Sequence, residues 1–164
     1  MNIESLTLAT FSPTGTGLRV AEAIARGMQS TAITHIDLTR PSERAKPLQA
    51  TERDLLLVAV PVYMGRVPAL LQQWMSALSA RKTPAVCVVV YGNRAYENAL
   101  LELHDLLQKQ GCIPMAGAAY IGEHSFSSAE RPVAQGRPDA QDMDHAESFG
   151  RKIREKLEGL TDLS

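Results

Sequence analysis

Short apolar runs alternate with segments of helical period along the chain. The runs fall at 6–11 (LTLATF), 55–60 (LLLVAV), 86–91 (VCVVVY) and 115–121 (MAGAAYI), with a weaker one at 32–38 (AITHIDL). A strand with one face in water alternates apolar and polar residues, whereas a strand buried on both faces reads as an uninterrupted apolar run. The five runs therefore predict a parallel sheet covered by helices on both sides.

Between the runs the period changes to that of a helix. Residues 17–29 place Val20, Ile24 and Met28 on one stripe, with Glu22 and Arg26 spaced as an outward i,i+4 pair. Residues 68–79 carry Leu70, Trp74 and Leu78 beside Leu71 and Met75, with Pro68 at a first-turn position. Residues 97–110 offer Leu100, Leu103 and Leu107, and Gly111 supplies a stop. A last helix over about 142–158 buries Phe149, Ile153 and Leu157, with Asp142 or Asp144 as its cap. Region 39–53, rich in Pro, Ser and charge, predicts a turn or a short helix. This order implies right-handed crossovers and a three-layer, doubly wound α/β sandwich in one domain spanning 1–164. In such sheets a ligand binds beyond the carboxyl ends of the strands, where the strand order reverses. The loops after the first, third and fourth runs are accordingly the ones to read for chemistry.

Composition narrows the classes. With 17 basic and 18 acidic side chains, evenly mixed, the net charge of −1 leaves no electrostatic footprint for nucleic acid. No stretch approaches the roughly 18 apolar residues of a membrane span, and no secretory leader pattern opens the chain, so a cytoplasmic protein is expected. Cys87 and Cys112 stand far apart and outside any C-x-x-C, which argues against a zinc site or a redox dithiol. The four histidines, at 35, 104, 124 and 145, are scattered.

After the first run comes Ser12-Pro13-Thr14-Gly15-Thr16-Gly17, leading straight into a helix. Unpaired amides at a helix N-terminus, with three hydroxyls around them, favour an anion. A nucleoside-triphosphate loop would carry a lysine, and this one has none. One phosphate monoester held by neutral donors fits, as does an ordinary capped turn.

These residues resemble the flavodoxins and flavodoxin-like flavoproteins, whose phosphate loop [S/T]-x-T-G-x-T is matched at 12–16, with Gly17 in place of the last Thr. The resemblance continues through PVYMGRVP (61–68) and YGNRAYEN (91–98) and covers essentially the whole chain. It is nearest to flavodoxin domains fused to bacterial ferredoxin modules, which share PVY-GR-P, YGNRAYE and IGEHSFS...GRPD stretches. This chain lacks the cysteine runs of those modules, so only the flavin half carries over. The resemblance implies a five-stranded parallel sheet in the order 2-1-3-4-5 and a flavin mononucleotide (FMN) site. Ser12, Thr14, Gly15, Thr16 and Gly17 would hold the phosphate. Pro61, Val62, Tyr63, Met64 and Gly65 would line one side of the ring, and Gly92, Asn93, Arg94, Ala95 and Tyr96 the other. Tyr96 would stack on the ring, backbone groups of Asn93 to Ala95 would meet its pyrimidine edge, and Gly65 would be a hinge turning the Met64 carbonyl toward N5. Arg66 and Arg94, in a nearly neutral chain, would bring cations toward the ring and make its potential less negative.

The function implied is electron transfer through FMN to a redox protein partner, such as a separately encoded iron–sulfur protein, or to a small-molecule acceptor. The alternative is an FMN-dependent NAD(P)H- or quinone-linked oxidoreductase of the same fold. A third reading, a binding module without cofactor, is weakened by Thr14-Gly15 and Tyr96. The segment 122–141 (GEHSFSSAERPVAQGRPDAQ) follows the last strand on the ligand side, where His124 and Phe126 are placed to cover a flavin, to shape a partner surface, or to form a mere connector.

Overall fold

The structure, a computed structural model, describes residues 2–161. In chain order its elements are β1 (Ser5–Thr10), α1 (Thr16–Met28), β2 (Ile33–Asp37), α2 (Pro41–Arg44), β3 (Gln49–Ala50), β4 (Asp54–Pro61), a 3-10 turn (Ala69–Leu71) running into α3 (Gln72–Ala77), β5 (Ser79–Ala80), β6 (Thr83–Tyr91), α4 (Ala99–Lys109), β7 (Cys112–Ile121) and α5 (Ala140–Gly159). Five strands form one parallel sheet in the order β2-β1-β4-β6-β7. The five long strands taken in sequence are thus ordered 2-1-3-4-5, as expected, with the reversal beside β1.

The uninterrupted apolar runs find their reason in the two cores. Leu55, Leu57 and Ala59 of β4, with Val86, Val88 and Val90 of β6, face α1 and α5. The residues between them, Leu56, Val58, Val60, Ala85, Cys87 and Val89, face α3 and α4 with Trp74, Met75, Leu103 and Leu107. Both faces of the central strands are dry, so every position must be apolar. Burial also pushes the Cys87 thiol up to about 12, with Cys112 adding to the effect, which makes it an inert core residue.

Helices α1 and α5 touch through glycine. A Cβ on Gly150 would fall on the Ile24 carbonyl, 2.9 Å from its carbon, and one on Gly27 would fall on the Glu147 carbonyl, 2.7 Å from its carbon. Backbone meets backbone here, and only the missing side chains permit it.

The structure departs from the sequence expectations in four places. The helix expected over 68–79 is broken: Leu78 is extended, and Ser79–Ala80 pairs in parallel with Gln49–Ala50 as a two-stranded sheet. Leu70 is consequently half exposed rather than on the buried stripe. Region 39–53 holds both the short α2 and the strand β3. Helix α5 starts earlier than expected, because Asp139 is its cap and Asp142 completes a capping box as the third helical residue. Arg26 leaves Glu22 and instead donates from Nε to Glu147 Oε1 on α5, at 3.0 Å. No helix among the described residues is long and apolar enough to cross a membrane.

Candidate functional site

Because the strands run parallel, the loops after β1, β4, β6 and β7 emerge at the same edge of the sheet. They enclose a cavity of about 200 Å³ lined by Phe11 to Thr14, Thr16, Gly17, Pro61 to Tyr63, Val90 to Gly92 and Gly122 to Ser125.

The loop after β1 is folded around its own serine. Gly15, at φ +79°, donates to the Ser12 carbonyl at 3.0 Å, and the Ser12 Oγ accepts from the Leu18 amide at 3.1 Å. Ser12 itself is anchored through its amide to Thr39 Oγ1 at 3.0 Å. The serine hydroxyl therefore caps α1 from inside. The amides of Thr14, Thr16 and Gly17 meet no backbone acceptor among the described residues. The hydroxyls of Thr14 and Thr16 lie 3.1 Å apart; one hydrogen is shared between them and the other stays free to donate outward. This set is neutral, convergent and composed of donors, with the positive end of α1 behind it. A Cβ at Gly17 would make only ordinary contact, 3.5 Å from Ser12 Oγ, so packing does not demand glycine there.

After β4, the Val62 amide donates to the Val90 carbonyl and carries Pro61 and Val62 along the cavity wall. The chain then reverses in two residues: Tyr63 and Arg66 exchange both backbone bonds, at 2.9 and 3.0 Å, around Met64 and Gly65, each at positive φ. Tyr63 packs edge-on against Phe11, with ring centroids 6.3 Å apart, while Met64 projects from the tip, 98 % exposed. The hairpin is tied to α4 by a fork: Arg66 donates to both Glu102 oxygens at 2.8 and 2.7 Å, and the Val67 amide donates to Glu102 Oε2. The fork holds the Glu102 carboxyl below, and the Arg66 guanidinium above, their ordinary pKa values. Arg66 is thereby neutralised by a partner 36 residues away, which removes it as a free cation aimed at the cavity.

After β6, Tyr91 and Gly92 reach the cavity, while Asn93 to Tyr96 turn outside its lining. The Tyr96 ring sits edge-on to Tyr91, 5.3 Å away, and faces a separate groove between α4 and β7. Of the residues singled out in the sequence, the structure brings Ser12, Thr14, Thr16, Gly17, Pro61, Val62, Tyr63 and Gly92 into one cavity wall. Gly15, Met64, Gly65, Asn93, Arg94, Ala95 and Tyr96 lie outside it.

The loop after β7 contributes more than the sequence assigned to it. Gly122, Glu123, His124 and Ser125 close the fourth side of the cavity, and the remainder of the loop folds onto itself. The Glu123 amide donates to the Arg137 carbonyl, the His124 amide to that of Val133, and the Val133 amide to Ser127 Oγ. Its far end is clamped by Arg137, which donates to both oxygens of Asp142 on the first turn of α5. The available signal in the sequence was position, directly after a strand's carboxyl end.

The clamp has a pH signature. Chiefly the Arg137 hydrogen bond holds the Asp142 carboxyl below its ordinary 3.8. A depressed carboxyl contributes stability that is complete above its unfolded pKa and is lost as pH falls through the folded one. Asp142→Asn should therefore lower the urea midpoint at pH 7, and the difference from the wild type should shrink below about pH 4; a difference independent of pH would contradict the clamp.

Solved structures similar to this chain share its fold. Oxidised flavodoxin 1 from Bacillus cereus superposes with a TM-score of 0.65 at 16 % identity, covering 96 % of this chain and 100 % of that one. Oxidised flavodoxin 2 from Bacillus cereus gives 0.63 at 10 % identity, with 93 % and 99 % covered. A flavodoxin from the domain Archaea gives 0.61 at 14 % identity, with 94 % and 99 % covered. No family model and no curated protein matches the sequence. At these identities the likeness establishes a flavodoxin-like fold.

Proposed function

We propose that this chain is a flavoprotein that binds FMN and passes electrons to a redox partner. The observation that carries the reading is the donor set after β1, in which three amides and two threonine hydroxyls converge with no cation among them. That set suits one phosphate monoester at the positive end of a helix. It would suit a triphosphate poorly, since nothing there offsets more than one anionic group.

The cavity fits such a ligand in part. Pockets that enclose a small ligand commonly run to about 300–1,000 Å³, so 200 Å³ encloses one portion and leaves the rest at the mouth. Tyr63 in the lining is half exposed, and Met64 and Phe126, the chain neighbours of the lining residues Tyr63 and Ser125, are almost wholly exposed. When bound, FMN supplies an isoalloxazine that accepts and releases electrons. The chain's own groups divide the work: the loop after β1 would hold the phosphate, Tyr63 and Tyr91 would shield the ring from water, and the apolar rim would meet the partner. A shallow site with an apolar rim favours a carrier over an enzyme, which needs room for a second substrate beside the ring.

Titrating FMN and riboflavin against flavin-free protein and following flavin fluorescence tests the reading. FMN should be quenched with the higher affinity; an absence of quenching by FMN overturns the assignment. Rapid bleaching of the bound flavin by NAD(P)H would reassign the chain as an oxidoreductase of the same fold.

A further inference from the structure

The loop after β7 places one imidazole with unusual definition. His124 is held at both backbone ends: its amide donates to the Val133 carbonyl at 3.1 Å, and its carbonyl accepts from the Ser127 amide at 2.8 Å. Its ring is held as well. The Phe126 amide donates to Nδ1 at 3.1 Å, and the Phe126 ring lies 5.2 Å away, tilted by 33°. Since Nδ1 accepts a hydrogen, this bond assigns the hydrogen of the neutral ring to Nε2. Nε2 meets no hydrogen-bond partner among the described residues. The Cδ2–Cγ edge of the ring lies against Gly92. A Cβ at that position would overlap the imidazole, lying 2.9 Å from Cγ and 3.1 Å from the His124 Cβ. Gly92 has an ordinary φ, so close approach and not backbone conformation accounts for its missing side chain. His124 and Gly92 line the same cavity as Thr16 and Tyr63.

We propose that His124 contacts the flavin directly, as a neutral hydrogen-bond donor locked against Gly92. The inference rests on the flavin reading of the cavity and adds a residue and a role to it. An oxidised isoalloxazine presents acceptors at N1, N5 and its two carbonyl oxygens and a single N–H at N3, so a wall that offers a fixed N–H matches the commoner kind of group on the ring. The loop after β1 and the His124 wall then divide the ligand between them: amides and threonine hydroxyls for the phosphate, imidazole for the ring. Gly92 is the seat that fixes where the donor stands.

The test compares the wild type with His124→Leu, His124→Gln and Gly92→Ala, reading FMN affinity, riboflavin affinity and the midpoint potential of the bound flavin. Riboflavin has the ring and lacks the phosphate, so a ring contact must weaken both ligands by the same factor. His124→Leu should do so by about three- to tenfold, the range of one hydrogen bond, and should shift the potential. His124→Gln, which keeps an N–H donor, should recover most of the loss. Gly92→Ala should reproduce His124→Leu, and the double variant should be no worse than either single one, as expected of two residues acting as a unit. If the wild type binds FMN while His124→Leu changes neither affinity nor potential, the role of His124 is overturned and the flavin reading stands. Loss of FMN affinity alone would move His124 to the phosphate end and overturn the ring contact. A wild type that quenches neither flavin overturns both.

Discussion

Replacing Gly150 by alanine will cost about 3 kcal/mol of stability, although alanine is the better helix former by about 1 kcal/mol. The new Cβ would fall on the Ile24 carbonyl and lie 3.0 Å from the Met28 amide nitrogen, both backbone atoms of α1. A side chain in the way can rotate aside, but a helix backbone can only be pushed as a whole. Moving α1 outward opens the core that Val20, Ile24 and Ile153 share with β4 and β6. Gly27→Ala meets the Glu147 carbonyl from the other direction and should cost a similar amount. Gly159→Ala is the control: it lies on the same helix, with nothing within 4 Å, and should stay within about 0.5 kcal/mol of the wild type. Urea unfolding reads all three. A Gly150→Ala protein as stable as the Gly159→Ala control would mean that the two helices can slide apart freely.

Thr16→Asp will separate the two ends of the ligand. Thr16 is the first residue of α1, beside the free amides of the loop after β1. A carboxylate there occupies the positive end of the helix and repels a phosphate. At 4 Å two unit charges interact by about 4 kcal/mol near a protein surface, so FMN affinity should fall at least about 100-fold. Riboflavin affinity should change only a few-fold. The fold itself should hold, since an acidic residue in the first turn suits the helix dipole, and the urea midpoint checks that. Equal loss of both ligands, with the midpoint unchanged, would show that this loop does not meet the phosphate.

The residues that lent themselves to reading in sequence are those whose neighbours along the chain decide their state. The runs at 55–60 and 86–91 could belong to little else than strands covered on both faces, and SPTGTG before a helix reads locally either as an anion cradle or as an ordinary capped turn. Asp142 and Asp144 read as caps of α5 as readily as Asp139 does, because three acidic residues in a row of six offer the same local signal, and the capping box together with the Arg137 fork on Asp142 separates them. The pairing of Gln49–Ala50 with Ser79–Ala80 carries no signal at all: two residues on each side make no periodicity, and the bonds from Ser79 to Leu48 and from Arg81 to Ala50 join segments about thirty residues apart into a sheet of their own.

The site divides in the same way. Which residues stand at the carboxyl ends of strands follows from the order of apolar and amphipathic segments, and with it the place of Ser12, Thr14, Thr16, Gly17, Pro61 to Tyr63 and Gly92 in the cavity wall. Whether a side chain at such an end points into the cavity or away from it depends on contacts across tens of residues. Arg66 reads as a free cation until Glu102 is placed against it, and only the fold shows Tyr96 edge-on to Tyr91 beside the groove between α4 and β7. The sequence alone determined the three layers, because burial on two faces imposes a pattern that can be read one segment at a time, while the strand order was an expectation that the resemblance supplied and the sheet bears out. Only the tertiary structure decided that His124 closes the cavity over Gly92, because hydrogen bonds within a loop and contact between two loops leave no periodic trace along the chain.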